Sequence, residues 1–540
     1  MARVRSPGAR ESIPPPELGG PHGSGSALSA LLRARRFRLG AGTERVAKNL
    51  AAFGGEVAAD AAPFIGAARP PADSPSVALG DYPGTLGPRS FGFLNNVGGV
   101  AALDAPLPAL PRKGGLGLVV PTRDALPDLG PLALARGLGI SWIVSVGDGD
   151  PAEALAFLGA DPATETLAVV LGQGASGASL RLALGAKPSV VWGGDAICRA
   201  VARRAGAQVV SGIDEWLARA ALLDAGVQPG ARVSVVVIGG GRGFVADEVS
   251  AAGLDAEVAA VDERAPEELS QAIASAREAG RPVVLVAGGP PLLPPGSASE
   301  PPSSSDEEAP LQVLSADLRH PEHLRALLRA LALPPVEQED AARSRVDKVL
   351  LEKVRAEVDR DLSDHDAKRL LKAYGARVTR QAPTGTPTGA IKLAKTIGLP
   401  VLLCAGDEER VAESAPDVRR IATLLLQQAG ELPSVIVRER FPEVPRARAR
   451  VVAEKGLGLT LRVGAPGAPP EVCALLPLTR TDGAMLAAAT AARRAADQRA
   501  LAELLARVSA CAVAEGALFE LELYVGAEPA VLKAAGSLRR

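Results

Sequence analysis

Between Gly114 and Ser211, short apolar runs alternate with helix-spaced segments: GLGLVV, PLALARGLG, SWIVSVG, AEALAFLGA, TLAVVLG, KPSVVWGG, AICRAVARRAG and QVVSG. Continuous apolar runs of this length read as strands buried on both faces, and their alternation with helices predicts βαβ units around a parallel sheet. The rhythm repeats in RVSVVVIGGGRGFVADEVSAAGL, AEVAAV, EELSQAIASAREAG and PVVLVAGG, which gives two consecutive flavodoxin-like domains. From Leu362 the pattern changes to LSDHDAKRLLKAYG, TGAIKLAKTIG, PVLLCAG, VRRIATLLLQQAG, SVIVRERF, ARARVVAE, LGLTLRVG, two Ala-rich helices and LFELELYVG. Helices mixed with antiparallel strands predict an α+β domain. Ser363 is placed as the N-cap of the first helix, with Leu370, Leu371 and Tyr374 as its apolar ladder.

The punctuation between these patterns sets the expected domains. Residues 1–26, rich in Pro, Gly, Ser and Arg, read as a flexible tail. Residues 27–85 form a short N-terminal unit that begins with one or two short helices, residues 86–225 the first flavodoxin-like domain, and residues 226–335 the second. The breaker-rich segment 290–310 reads as a disordered insertion in the second domain, because it cannot bury enough apolar surface to order itself. Residues 336–361 carry dense charge at helical spacing and read as a helical linker; residues 362–540 form the α+β domain.

Composition narrows the function classes. Sixty basic and 61 acidic residues leave a net charge of −1, and aromatics are 3% of the chain, so neither a global pull toward nucleic acid nor base-stacking platforms are expected. Cys198, Cys404, Cys473 and Cys511 lie far apart without metal-ligand spacing, which suits free thiols in a reducing cytoplasm. No stretch reaches the ~18 uninterrupted apolar residues of a membrane span, so no membrane partner is expected.

The order of motifs resembles one family, the ADP (NDP)-forming acyl-CoA synthetases, relatives of succinyl-CoA synthetase. GPRSFGFLNN followed by GGVAALDAPLPALPRKGGLGLVV resembles the family's passage from its CoA-binding domain into the first flavodoxin-like domain. SWIVSVGDGDPAEALAFLGADPATETLAVVL and VIGGGRGFVADEVSAAGL resemble the parts that follow. LSDHDAKRLLKAYG is similar to the opening of the family's ATP-grasp domain, and LLPLTRTDGAML to a late segment of it. The resemblance implies an ATP-grasp-like C-terminal domain, ATP/ADP with Mg and CoA as cofactors, and acid–thiol ligase chemistry in which a histidine relays a phosphoryl group.

Several residues that this relay requires are missing. The family's histidine loop follows the strand that here reads KPSVVWGG, but Trp192, Gly193, Gly194 and Asp195 run straight into AICRAVARRAG. The four histidines, His22, His320, His323 and His365, all lie elsewhere, and no catalytic residue is assigned. Imidazole suits the task because it is partly neutral near pH 7 and forms a labile N–P bond. The family's anion-holding helix start, of Ser-Gln-Ser-Gly type, is replaced by Pro121, Thr122, Arg123 and Asp124; Pro removes a donor and Asp adds charge of the wrong sign. Where the family places a phosphate-contacting lysine, PVLLCAG carries Cys404. The metal-binding pattern near the end reads ELELYVG, leaving Glu522 as the one candidate metal ligand, with Tyr524 in place of the family's Asn. Residues 27–85 are short for a CoA-binding Rossmann domain and show no strand followed by a G-x-G-x-x-G turn, so a packing remnant is expected.

One Gly-rich turn survives. Gly239, Gly240, Gly241, Arg242 and Gly243 lie between a strand and a helix, where such a turn either cradles an anion or satisfies backbone geometry. The sequence therefore points to a catalytically degenerate member acting as a nucleotide- or CoA-derivative-binding or regulatory subunit. The alternatives are an active ligase or acyltransferase, and a non-binding scaffold. An intact paralogue or a second copy is the expected partner.

Overall fold

The computed structural model describes residues 27–40, 42–61, 63–67, 75–79, 81, 84–107, 109–122, 138–227, 230, 232–262, 265–287, 313–317, 319, 321–332, 346–358, 360–406, 408–428, 434–441, 445–466, 472–492 and 494–539. The expected tail, the insertion 290–310, the start of the linker and the PLALARGLG helix fall outside these residues, the last except for its final two positions. Contacts divide the chain into two compact units, residues 1–167 and 168–540.

The first unit opens with a four-stranded parallel sheet of β1 (Arg36–Leu39), β2 (Glu56–Val57), β3 (Phe64–Gly66) and β4 (Ser76–Ala78), ordered β2-β1-β3-β4. Helix Glu44–Ala52 crosses from β1 to β2, so β1, helix and β2 make a βαβ unit. Apolar-run reading finds no strand here because RFRL alternates arginines with apolar residues, and only Phe37 of the four is buried. The turn out of β1 passes Gly40, where a Cβ would come within 2.6 Å of the Phe64 ring.

β5 (Gly92–Asn95), β6 (Val100–Leu103), β7 (Lys113–Val120) and β8 (Ile140–Ser145) follow, and β9 (Thr166–Leu171) opens at the end of the unit. Within the unit the spatial order is β7-β8-β5-β6, with β7 and β8 parallel and β5 antiparallel to both β8 and β6.

In the second unit, β10 (Ser189–Gly193) lies between β9 and β11 (Gln208–Val210), parallel to β11. Next, β12 (Val233–Ile238), β13 (Ala256–Val261), β14 (Val283–Ala287) and β15 (Val313–Asp317) make a parallel sheet ordered β13-β12-β14-β15. Second-first-third-fourth is the flavodoxin-like order. Val235, Val237, Val284 and Val286 pack on one face and Val236, Val283 and Leu285 on the other, which is why these strands read as unbroken apolar runs.

The C-terminal part has two antiparallel sheets built from β16 (Asp361–Leu362), β17 (Gln381–Thr384), β18 (Val401–Ala405), β19 (Glu408–Ala412), β20 (Val435–Glu439), β21 (Arg446–Glu454), β22 (Gly458–Gly464), β23 (Val472–Leu475), β24 (Ala517–Tyr524) and β25 (Ala530–Leu538). Their orders are β17-β20-β18-β19 and β16-β25-β24-β21-β22-β23. Helices Pro387–Ile397 and Ala415–Gln428 bury one face of the smaller sheet. Helices Asp364–Ala373, Arg480–Ala488 and Ala495–Glu515 bury one face of the larger. Ser363 caps its helix by accepting the Asp366 N–H at 3.2 Å, and Thr479 with Asp482 forms a capping box. The expected class holds: α/β, with parallel-sheet domains of flavodoxin-like order followed by an α+β domain of antiparallel sheets and helices. β19 and β25 were not foreseen. Each is rich in charge or alanine, and each is recognisable only through the partner strand it pairs with.

Candidate functional site

Each C-terminal sheet has a second face that is polar. Along β21, Ala447, Ala449 and Val451 enter the core, so Arg446, Arg448 and Arg450 share the opposite face. The register places Tyr524, Glu522 and Glu520 of β24 opposite these arginines, Lys533 of β25 opposite Glu522, and Arg462 of β22 opposite Arg450. On the smaller sheet, Leu403, Val435 and Val437 are core, leaving Cys404, Arg438 and Glu409 on the other side.

A charge network ties the two sheets together. Lys368, from helix Asp364–Ala373, is 2% exposed and donates to Asp364 Oδ2 and Gln381 Oε1, both at 2.9 Å. Gln381 also accepts from Arg438 Nε at 3.0 Å and donates to Asp364 at 2.9 Å. Asp364 Oδ1 accepts the backbone N–H of Ala534 in β25 at 2.9 Å. Glu409 Oε1 lies 3.3 Å from Arg438 Nη1 and 3.0 Å from Lys533 Nζ, joining β19 and β20 to β25.

Burial lowers the Lys368 pKa to about 8, with Asp364 opposing and Arg438 adding to the fall. Burial also pushes Asp364 upward, but the Lys368 charge and the hydrogen bonds from Gln381, Lys368 and Ala534 outweigh it and leave the carboxyl below its usual value. Cys404 is 4% exposed, and burial raises its pKa, so the thiol stays protonated and is a poor nucleophile. The position where the resemblance asks for a lysine is therefore a buried thiol ringed by cations already engaged with acids.

The turn that follows β10 is equally fixed. Gly193 and Gly194 have φ of 84° and 69°, and a Cβ on Gly193 would lie 2.6 Å from the Leu171 carbonyl oxygen, so this tight turn requires glycine. Asp195 then caps helix Ala196–Arg204 by accepting the Cys198 N–H at 2.7 Å. At the far end of the helix, Arg204 donates to the Leu475 and Pro477 carbonyls at 2.7 and 2.8 Å and to Asp482 at 2.9 Å. His365 is exposed on the first turn of its helix; His22 and His320 lie outside the described residues, as does the His323 side chain.

The Gly-rich turn sits at the carboxyl end of β12 and is exposed from Gly240 onward. Gly239 and Gly241 have φ of 80° and 103°, so backbone geometry accounts for both. A Cβ on Gly240 or Gly243 would meet nothing within 4 Å. Arg242 reaches back to the Val258 carbonyl of β13 at 3.3 Å.

Glu522 was the candidate metal ligand. It accepts a hydrogen bond from Arg446 and sits in register with Arg448 and Lys533. Three cations around one carboxylate do not fit a divalent metal, which needs several oxygen ligands. Among the described residues no cluster of three or more metal-ligating side chains occurs. In the first unit, a cleft of about 150 Å³ is lined by Thr85, Leu86, Gly87, Asp150 and Glu153 among others. Its two carboxylates disfavour a phosphate-bearing ligand. No described helix is long and apolar enough to cross a membrane.

Residues 446–450 carried a signal that run-based reading passes over: arginine at every second position of a strand puts all three guanidinium groups on one face.

No protein-family model matches the chain, and no curated protein matches it. Solved structures do. One is Ca. Korarchaeum cryptofilum ACD1 in complex with coenzyme A, at 19% identity and TM-score 0.32, covering 36% of this chain and 100% of that one. Another, dinucleotide-forming acetyl-coenzyme A synthetase 1 from the same organism with phosphate and ADP, matches at 15% identity and TM-score 0.39 over 56% of this chain and 96% of that one. PH0766 from Pyrococcus horikoshii OT3 matches at 13% identity and TM-score 0.39 over 56% of this chain and 98% of that one.

Proposed function

We propose that the chain is a catalytically degenerate relative of the NDP-forming acyl-CoA synthetases that binds a nucleotide or CoA derivative without turning it over, as a regulatory subunit. The observation that carries this reading is the path from β10 through Gly193 and Gly194 into helix Ala196–Arg204. It leaves no loop between β10 and this helix on which a phosphoryl group could travel, and Arg204 holds the helix to Leu475, Pro477 and Asp482. Cys404 in place of a phosphate-contacting lysine supports it, because a protonated thiol neutralises no charge.

The cations that remain on the polar faces favour binding over a purely structural role. A thermal-shift series with ATP, ADP, CoA and acetyl-CoA tests this. A ligand at 100 times its Kd stabilises by about 2.7 kcal/mol, which is readable as a raised Tm. A Tm that no member of the series moves would leave the scaffold role instead.

A further inference from the structure

Arg450 of β21 stands where it is costly unless an anion joins it. Arg450 lies directly opposite Arg462 across β21 and β22, and like charges facing each other across a strand pair destabilise it. Arg462 bonds Glu454 and Arg448 bonds Glu520. Arg450 is left with the same Glu520 oxygen at 3.8 Å, beyond hydrogen-bond reach. The Nε–H groups of Arg446 and Arg462 are buried and have no acceptor among the described residues. Arg446, Arg448, Arg450, Arg462 and Lys533 face Glu454, Glu520, Glu522 and, at the β16 edge, Asp361, five cations against four carboxylates. Adding Lys368 and Arg438 with Asp364 and Glu409 leaves the excess of one unchanged.

We propose that this face binds a pyrophosphate-bearing ligand directly through Arg448, Arg450 and Arg462, without a divalent metal. The inference rests on the reading that the chain binds a nucleotide or CoA derivative, and it names the chemistry of that binding. Guanidinium groups offer several N–H donors in a planar fork that matches phosphate oxygens, so one phosphate between Arg450 and Arg462 relieves their repulsion and gives the half-exposed Arg450 the acceptor that Glu520 at 3.8 Å does not supply. Lys533 and Arg446, on either side of Glu522, occupy the surroundings a metal would need, so a ligand arriving with bound metal meets repulsion there.

The test is isothermal titration of the full chain with ATP, with CoA and with inorganic pyrophosphate, each in EDTA and in excess magnesium. The expected result is binding in EDTA by pyrophosphate and by at least one of the two larger ligands, weakened by magnesium. Arg450→Gln should weaken it at least ~10-fold, while Arg450→Lys recovers part of the loss. Whichever of ATP and CoA binds more tightly than pyrophosphate identifies the source. Binding that appears only with magnesium, or that Arg450→Gln leaves unchanged while its Tm matches the parent, overturns the inference and spares the binding reading. Silence from all three ligands in both buffers overturns both.

Discussion

The two sheets with most to say about function are built on opposite principles. The parallel sheet β13-β12-β14-β15 is apolar on both faces, so its polar chemistry is confined to the ends of its strands, where the Gly239–Gly243 turn lies. The six-stranded antiparallel sheet buries one face and keeps the other polar, so its chemistry is spread along Arg446, Arg448, Arg450 and Arg462. A sheet covered on both sides offers a ligand a rim; a sheet covered on one side offers a surface. In this chain the rim holds mainly glycines that the backbone itself explains, and the surface holds an excess of cations.

The largest test of the contrast is Val235→Asp, in the middle of β12 and fully buried. An unpaired carboxylate there should cost more than ~4 kcal/mol and abolish the cooperative melt by circular dichroism. Arg448→Ala on the half-exposed face should change stability by less than ~1 kcal/mol.

The next effect is pH-dependent. Folding lowers the Lys368 pKa from 10.5 to about 8, so the unfolded chain binds the extra proton between these values. Stability from this group therefore rises as pH climbs from about 8 to 10.5, by up to roughly 3 kcal/mol. Denaturant melts of Lys368→Met and the parent across pH 7 to 10 should show the rise in the parent alone; parallel pH profiles would contradict the buried charge.

Smaller again is Arg204→Ala, which leaves Asp482 and two carbonyls without this donor and should cost ~2 kcal/mol by the same melts. Smallest is a pair of turn substitutions. Gly241→Ala, at φ 103°, should destabilise by ~1 kcal/mol, whereas Gly240→Ala should be neutral or stabilising by up to ~1 kcal/mol. Equal costs at both positions would mean that geometry does not separate the glycines.

How much of this was legible in the sequence follows from the same contrast. Strands buried on both faces, such as RVSVVVI, announce themselves as apolar runs, and the parallel domains were readable from them. Ser363 was readable as a cap because its role is local. β1, β19 and β25 were not, since each is defined by its neighbour more than by its own composition. The direct passage from KPSVVWGG into the helix AICRAVARRAG could be read directly, because only Asp195 lies between them. The Lys368–Asp364–Gln381–Arg438–Glu409–Lys533 network could not, because its members are spread over 170 positions and meet only through packing of the two sheets. Glu522 was legible as a carboxylate on a strand, but its cationic surroundings come from β21 and β25, which sequence alone does not place beside it.

The central claim is that this chain cannot carry a phosphoryl group from one site to another. Incubation of the purified protein with γ-labelled ATP, magnesium, CoA and acetate tests it most directly. The account predicts no acid-labile label on the protein and no acetyl-CoA; label on any of the four histidines, or acetyl-CoA formed in step with ADP, would contradict it.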